Sequence, residues 1–182
     1  MKKFMELRRG AMLLLLTGTL VSYSGIAQDS KDKKVIADAE EAKAAFIKED
    51  ALMADLFTKA YGYLILPNVG KGAVGIGGAA GNGAVYEQGK LIGMASMKQA
   101  TIGFQLGGQS YREVILFESK AAMDRFKGDK FELSAQASAV AVTAGAAAKA
   151  KYAEGIMIFS QEKGGLMYEA SVGGQKLNFK PF

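Results

Sequence analysis

The sequence predicts an α+β fold: a glycine-rich, mostly antiparallel, curved or barrel-like sheet with N-terminal helices and one short helix inserted between strands. Three observations predict it. Gln28 to Tyr61 contains no glycine or proline, and its apolar residues recur at helical spacing. After Gly62, short apolar runs alternate with turn residues. Between Lys71 and Val85 every odd position is glycine or alanine, and this period of two indicates a strand with one nearly bare face.

The first two elements are predicted helices within residues 30–61. Ser30 or Asp32 could cap the first helix, whose apolar positions include Phe46. Asp50 is the expected cap of the second helix, and Gly62 is its expected left-handed stop.

Residues 1–27 read as a secretory signal peptide. Lys2, Lys3, Arg8 and Arg9 precede an apolar run that ends near the small residues Gly25 and Ala27. The run is shorter than the roughly 20 apolar residues of a transmembrane helix. An uncleaved anchor is the alternative. We therefore expect an exported protein, periplasmic or envelope-associated, whose residues 28–182 form a single domain.

The charge of that domain disfavours a nucleic-acid partner. The whole chain has a formal net charge of +5, but residues 28–182 hold 19 basic and 17 acidic side chains, a net charge of +2. The apparent basicity thus belongs mostly to the predicted signal segment, and no nucleic-acid partner is expected.

The sheet is predicted over residues 62–180. A strand over Tyr63–Leu66 should stop at Pro67, and Glu87–Lys90 and Gly107–Gln109 should be hairpin connections. The inserted helix is predicted over Lys120–Lys127, with Ser119 as its cap and Gly128 at its end. Further strands are expected in nine ranges, with turns at 164–165 and 173–174: 73–78, 83–86, 91–97, 102–106, 112–118, 131–142, 155–161, 166–172 and 175–179.

Residues 134–150 allow two predictions. Their alanine content favours a helix, whereas the alternation of small residues from Leu133 onward favours a strand. We predict a strand, because it would repeat the bare face found between Lys71 and Val85.

A nucleotide site is disfavoured despite the literal G-x-G-x-x-G pattern of Gly70–Gly75. The third glycine of a dinucleotide-binding motif must open a helix, and the glycines that follow Gly75 cannot do so. Catalysis is not expected either. The chain has no histidine and no cysteine, which removes the common general base, the thiol nucleophile and most zinc sites. We expect no enzyme, no cofactor and no metal.

Lys31, Lys33 and Lys34 stand immediately before the apolar positions of the first helix. A basic cluster beside an amphipathic helix suits anionic lipid headgroups. The alternative is that the apolar residues of this helix pack on the sheet and that the lysines are simply solvated.

The glycine-rich stretch of residues 66–83, Leu-Pro-Asn-Val-Gly-Lys-Gly-Ala-Val-Gly-Ile-Gly-Gly-Ala-Ala-Gly-Asn-Gly, resembles the signature of the SYLF domain, also called the Ysc84 actin-binding domain. Residues 100–109 and the strand and helix that follow resemble its second block, and residues 163–166 with the final strands resemble its third. The similarity covers about residues 35–180 in the family's order.

The resemblance implies binding to phospholipid or a membrane surface. It does not identify the contact residues, and Lys71 of the glycine block is our one further candidate there. Some family members bind actin, but an exported protein would not meet it. The second class of function is a structural or oligomerising envelope protein without a specific lipid ligand, so homo-oligomers stay open. A third class, an outer-membrane protein that crosses with strands, is disfavoured by Pro181 and by the lack of aromatic girdles.

Overall fold

A computed structural model describes residues 29–74, 76–102, 109–128, 131–135, 137–163 and 170–182. The chain divides into two compact units, Met1–Lys34 and Val35–Phe182. Of the first unit, residues 29–34 are described and are helical. The predicted signal segment, residues 1–27, lies outside the described residues.

The described part contains three helices and nine strands. Helix α1 comprises residues 29–49, α2 comprises Leu52–Lys59 and α3 comprises Lys120–Lys127. The strands are β1 Gly62–Val74, β2 Ile76–Glu87, β3 Lys90–Ile102, β4 Gln109–Phe117, β5 Phe131–Glu132, β6 Ser138–Ala141, β7 Ile156–Glu162, β8 Ala170–Ser171 and β9 Lys176–Pro181. The predicted fold class is confirmed: N-terminal helices precede a mostly antiparallel sheet, and α3 lies between strands.

The sheet curls into a half-barrel. Its strand order is β5-β9-β3-β2-β1-β4-β7-β6-β8, and every described pair except β6 with β7 is antiparallel. β5 and β6 lie near opposite ends of this order, yet residues 133–137 alone connect them. Five residues span at most about 20 Å. The two ends of the sheet are therefore close together, and we call the gap between β5 and β6 the seam.

The curled sheet has a core on each face. The inner core combines residues of every long strand with Ala122, Met123 and Phe126 of α3. The outer core lies where Ala39, Ala42 and Phe46 of α1 and Met53 and Phe57 of α2 meet the other face of β1, β2, β4 and β7. Because both faces of the central strands are buried, β1 and β4 carry nearly continuous apolar runs such as Tyr63–Leu66.

The stripe of small residues between Lys71 and Val85 is not one strand. It forms the end of β1 and the start of β2, which fold back on each other so that Ala73 pairs with Gly77 and Lys71 with Ala79. The strand predicted over residues 73–78 was wrong, because the chain reverses within that range. An antiparallel pair with this symmetric register places odd positions opposite odd positions, so the stripe covers two neighbouring strands.

The strand was predicted to end at Pro67, and this was wrong. Pro67 lies in a bulge within β1. The register of β1 shifts between Ile65 and Asn68 against β2, and between Leu66 and Val69 against β4. A bulge leaves an unpaired position in the ladder, which suits a residue without a backbone N–H.

The bulge explains why two positions of β2 are occupied by glycine. A Cβ atom on Gly83 would lie 2.2 Å from the carbonyl oxygen of Ile65, and one on Gly81 would lie 2.9 Å from that of Asn68. What approaches this part of the stripe is therefore the backbone of the neighbouring strand, and not a helix or a ligand.

Three local predictions are corrected. The helix already includes residue 29, so Ser30 and Asp32 lie inside it and neither begins it. Gly62 is the first residue of β1 and is not left-handed. Its small size matters because a Cβ would lie 2.8 Å from the carbonyl oxygen of Tyr86. Residues 131–142 are not one strand: β5 and β6 form its ends, and turns follow from Thr143, where no helix is present.

Other local predictions are confirmed. Asp50 Oδ1 accepts a hydrogen bond from the N–H of Leu52 at the start of α2. Ser119 accepts one from the N–H of Ala122, and α3 ends at Lys127 before Gly128. Gln88 and Gly89 both have positive φ, as the tight hairpin between β2 and β3 requires, and residues 173–174 form a turn. The connection predicted at Gly107–Gln109, the turn at 164–165 and most of the strand at 166–172 lie outside the described residues.

Candidate functional site

The three predicted lysines of the first unit lie within about one turn of helix. Lys31, Lys33 and Lys34 are exposed. The Nζ of Lys33 lies 2.9 Å from Oδ2 of Asp29, four residues earlier, and both side chains are about 70% exposed (74% and 67%). Such a pair contributes little to stability. Residues 29–34 carry three lysines and two aspartates, so their net charge is +1.

Lys71, the fourth predicted contact, belongs to the second unit. Its backbone pairs with Ala79 of β2 and with Gln109 of β4, near the end of β1. The side chain lies outside the described part of the structure. Its role in lipid contact stays a prediction.

The apolar residues of α1 beyond residue 34 are part of the core. Ala39, Ala42 and Phe46 are at most 1% exposed, and Ile36 and Ile47 pack against the same outer core. Of the two alternatives for this helix, packing on the sheet is the one that the structure shows for these residues. They are not available to a bilayer while the helix stays docked.

Polar contacts hold α1 at the edge of that core. The Nζ of Lys43 donates a hydrogen bond of 2.9 Å to the Tyr63 hydroxyl and lies 5.1 Å from the centre of the Phe57 ring. The Tyr86 hydroxyl donates one of 2.6 Å to Glu40 Oε1. Burial and the Glu40 carboxylate raise the pKa of Tyr86 far above its ordinary value, so the hydroxyl keeps its proton and stays a donor.

A cleft of about 530 Å³ opens at the seam. Its walls come from the end of α3, from β5 and the connection after it, from β6 and from residues 151–158. The volume is in the range of small-molecule sites. Arg125 and Lys151 supply its cations, Glu132 and Glu154 its carboxylates, and Phe131, Leu133, Val140 and Ile156 much of its apolar wall. We call it the seam cleft.

A buried carboxyl lies on the inner side of the sheet. Glu113 of β4 is fully buried, and its Oε2 accepts a hydrogen bond of 2.9 Å from Nε2 of Gln175. Burial raises the pKa of Glu113 to about 7, although the bond from Gln175 opposes the shift. Burial and the nearby Glu113 also raise the pKa of Tyr111 well above its ordinary value. Because Glu113 and Gln175 have no exposed surface, neither side chain contacts solvent or a substrate.

The sequence prediction missed both of these places. Glu113 could have been found, because it shares the alternating positions of Ile115 and Phe117 in a run that is otherwise apolar. The seam cleft could not, since Arg125, Val140 and Lys151 come from three separate segments.

Two further results concern the described residues only. None of the helices described is both long and apolar enough to cross a bilayer. No group of three or more acidic side chains within the described ranges is arranged to hold a metal ion.

The fold and the surfaces together define a small α+β protein with a curled antiparallel sheet, a docked N-terminal helix and a cleft at the seam. Residues 98–180 match the Ysc84 family, which is described as Las17-binding protein actin regulator. Residues 98–180 thus form a Ysc84 domain, also called a SYLF domain. It is also similar to Beta cell expansion factor A of Aeromonas veronii, with 33% identity over 123 residues. That match covers 66% of this chain and 46% of the relative, so the chain spans less than half of the relative's length.

Proposed function

We propose that this chain is a non-catalytic, exported protein, periplasmic or envelope-associated, that binds anionic phospholipid surfaces. The observation that carries the proposal is the exposure of Lys31, Lys33 and Lys34 at the start of α1. Lysines near an anionic membrane contribute about 1 kcal/mol each. The match of residues 98–180 to the Ysc84 family and the predicted signal peptide support it.

The mode of contact is electrostatic adsorption to headgroups. Phe46 and its neighbours on α1 are buried against the sheet, so hydrocarbon insertion by that face would require the helix to leave its place. Binding through lysines alone should be weak, reversible and screened by salt. The two aspartates among these lysines keep the local charge low, so we expect binding only on strongly anionic membranes.

The test is co-sedimentation of the protein, in the form that the cell processes, with liposomes of rising phosphatidylglycerol content at low and high salt. We expect binding that increases with anionic lipid and decreases with salt. The triple variant K31E/K33E/K34E should lose it.

The matched control reverses three exposed lysines elsewhere, K98E/K149E/K180E, with the same change in net charge. If both triple variants lose binding equally, net charge and not the N-terminal cluster is responsible. If neither the natural protein nor the variants bind any liposome, the proposal fails. Discrete oligomers that form without lipid would then favour the structural envelope function.

The Ysc84 family description names Las17 and actin. We do not extend that partner to this chain, because an exported protein would not meet it. A co-sedimentation experiment with actin filaments under the same salt conditions tests this part, and binding to filaments would contradict it.

A further inference from the structure

We propose that the seam cleft binds a small amphiphile with one hydrocarbon chain and one carboxylate end. The inference goes beyond the function proposed above, because it involves a different surface and requires no bilayer. It is carried by the composition of the cleft, by its place in the fold and by the state of its charges.

The place of the cleft explains why it has an apolar wall. At the seam, β5 and β6 are not hydrogen-bonded neighbours in the strand order of the described part of the sheet. Leu133 and Ile158 belong to the inner core, and Phe131 and Ile156 pack against it. The cleft therefore extends the inner core outward to the surface.

Val140 marks the outer part of this wall. It is 37% exposed and is one of three large hydrophobic side chains that are exposed in the described part of the chain. The other two, Leu52 and Phe182, do not line the cleft. Together with Phe131, Leu133 and Ile156, Val140 makes the wall of this concave site largely apolar, and such a wall favours a ligand with hydrocarbon.

The charges of the cleft favour a monoanion. Arg125 Nη2 donates a hydrogen bond to the main-chain oxygen of Glu154, which holds the guanidinium at the cleft while other N–H donors stay available. Glu132 Oε2 lies 3.9 Å from Nζ of Lys176, so its charge is partly offset. Arg125 and Lys151 are then opposed by one carboxylate, that of Glu154. The net charge of the side chains that line the cleft is therefore close to +1. The single negative charge of a carboxylate would neutralise this net charge. An arginine can bind a carboxylate through two parallel hydrogen bonds.

The probe for the test is dodecanoate, below the concentration at which it forms micelles, added to the cell-processed protein. Methyl-resolved NMR follows Val140, Ile156 and Ile158, with Leu52 of α2 as a site outside the cleft. We expect saturable shifts at the first three residues and none at Leu52. Dodecanol should bind more weakly than dodecanoate, and dodecyltrimethylammonium more weakly still.

Two variants separate the parts of the site. K151Q should weaken dodecanoate about three- to fivefold without changing dodecanol, as the loss of one exposed charge pair predicts. V140N should weaken both ligands about tenfold, since it removes apolar contact. K149Q is the matched control, because Lys149 is exposed nearby but does not line the cleft.

The inference is overturned by three results: no saturable shift at Val140, Ile156 and Ile158, equal affinity for the cationic and anionic amphiphiles, or an equal effect of K149Q and K151Q. The variant K31E/K33E/K34E distinguishes the two proposals. It should keep dodecanoate binding even where it loses liposome binding, and loss of both would place the amphiphile outside the cleft.

Discussion

Gln175 and Glu113 are joined by a hydrogen bond of 2.9 Å across the inner side of the curled sheet. Gln175 lies directly before β9, and β9 is separated from β4, the strand of Glu113, by three strands in the sheet order. The bond therefore links parts of the sheet that only its curvature brings together. Oε1 of each side chain is buried and has no hydrogen-bond partner in the described part of the structure.

The first prediction concerns the pH dependence of stability. The pKa of Glu113 is raised from 4.5 to about 7 in the folded protein. The folded state thus holds this proton more tightly than the unfolded chain does. Its contribution to the free energy of unfolding is fully present below pH 4.5 and is lost as the pH rises through about 7. The expected size is about 3 kcal/mol.

Urea denaturation between pH 5 and 8 measures this loss, and E113Q should reduce the slope. The amide of glutamine resembles the protonated carboxyl but does not titrate. E132Q is the control, because Glu132 is exposed and should leave the slope as it is. Equal slopes for E113Q and the natural protein would show that Glu113 is not the group responsible.

The second prediction concerns Gly83. A Cβ there would lie 2.2 Å from the carbonyl oxygen of Ile65, and backbone cannot move aside as easily as a side chain. G83A should lower the free energy of unfolding by about 1–3 kcal/mol. G70A is the control, since a Cβ on Gly70 meets nothing within 4 Å. If thermal unfolding shows that G83A and G70A lose the same free energy of unfolding, the close approach at the bulge is not the cause of the loss.

The third prediction concerns Asp50. This buried carboxylate accepts hydrogen bonds from the N–H of Leu52, at 3.1 Å, and from the N–H of Ala147, at 2.8 Å. D50A should cost about 2–3 kcal/mol, because it leaves both donors unsatisfied. D55A, an exposed position on α2, should cost far less. Similar midpoints in chemical denaturation for the two variants would argue against the double role of Asp50.

The fourth prediction asks whether membrane binding needs α1 to leave the sheet. Y86F removes the 2.6 Å hydrogen bond to Glu40 and should lower stability by about 1 kcal/mol. It should not change liposome binding, because the proposed contact uses lysines and not the buried face. An increase in liposome binding by Y86F would show instead that the helix detaches.

Much of the local structure could be predicted from local chemistry. Ser119 and Asp50 act as caps because a side-chain oxygen next to a free N–H satisfies it in almost any fold. The hairpin at Gln88 and Gly89 likewise follows from its own residues. The export segment and the lipid contacts of Lys31, Lys33, Lys34 and Lys71 stay predictions.

Two of the errors concern where a strand reverses and how it pairs, which local patterns do not specify. Alternation of period two shows that residues are extended, but it does not show where a strand reverses, so the fold-back between Ala73 and Gly77 was missed. Pro67 usually ends a strand, but the shifts in pairing with β2 and β4 made room for it.

The sequence by itself determined the class of fold, the helix boundaries near Asp50 and Ser119 and the resemblance to the Ysc84 family, because these depend on periodicity, caps and local motifs. The tertiary structure alone decided what approaches Gly83, which carboxyl is buried and where a cleft opens. Those properties arise when the sheet curls and brings Gln175 to Glu113 and Val140 near Arg125. Such contacts form because packing both faces of one sheet lowers the free energy of the whole chain. That packing involves many distant segments, so the sequence of any one segment does not predict it.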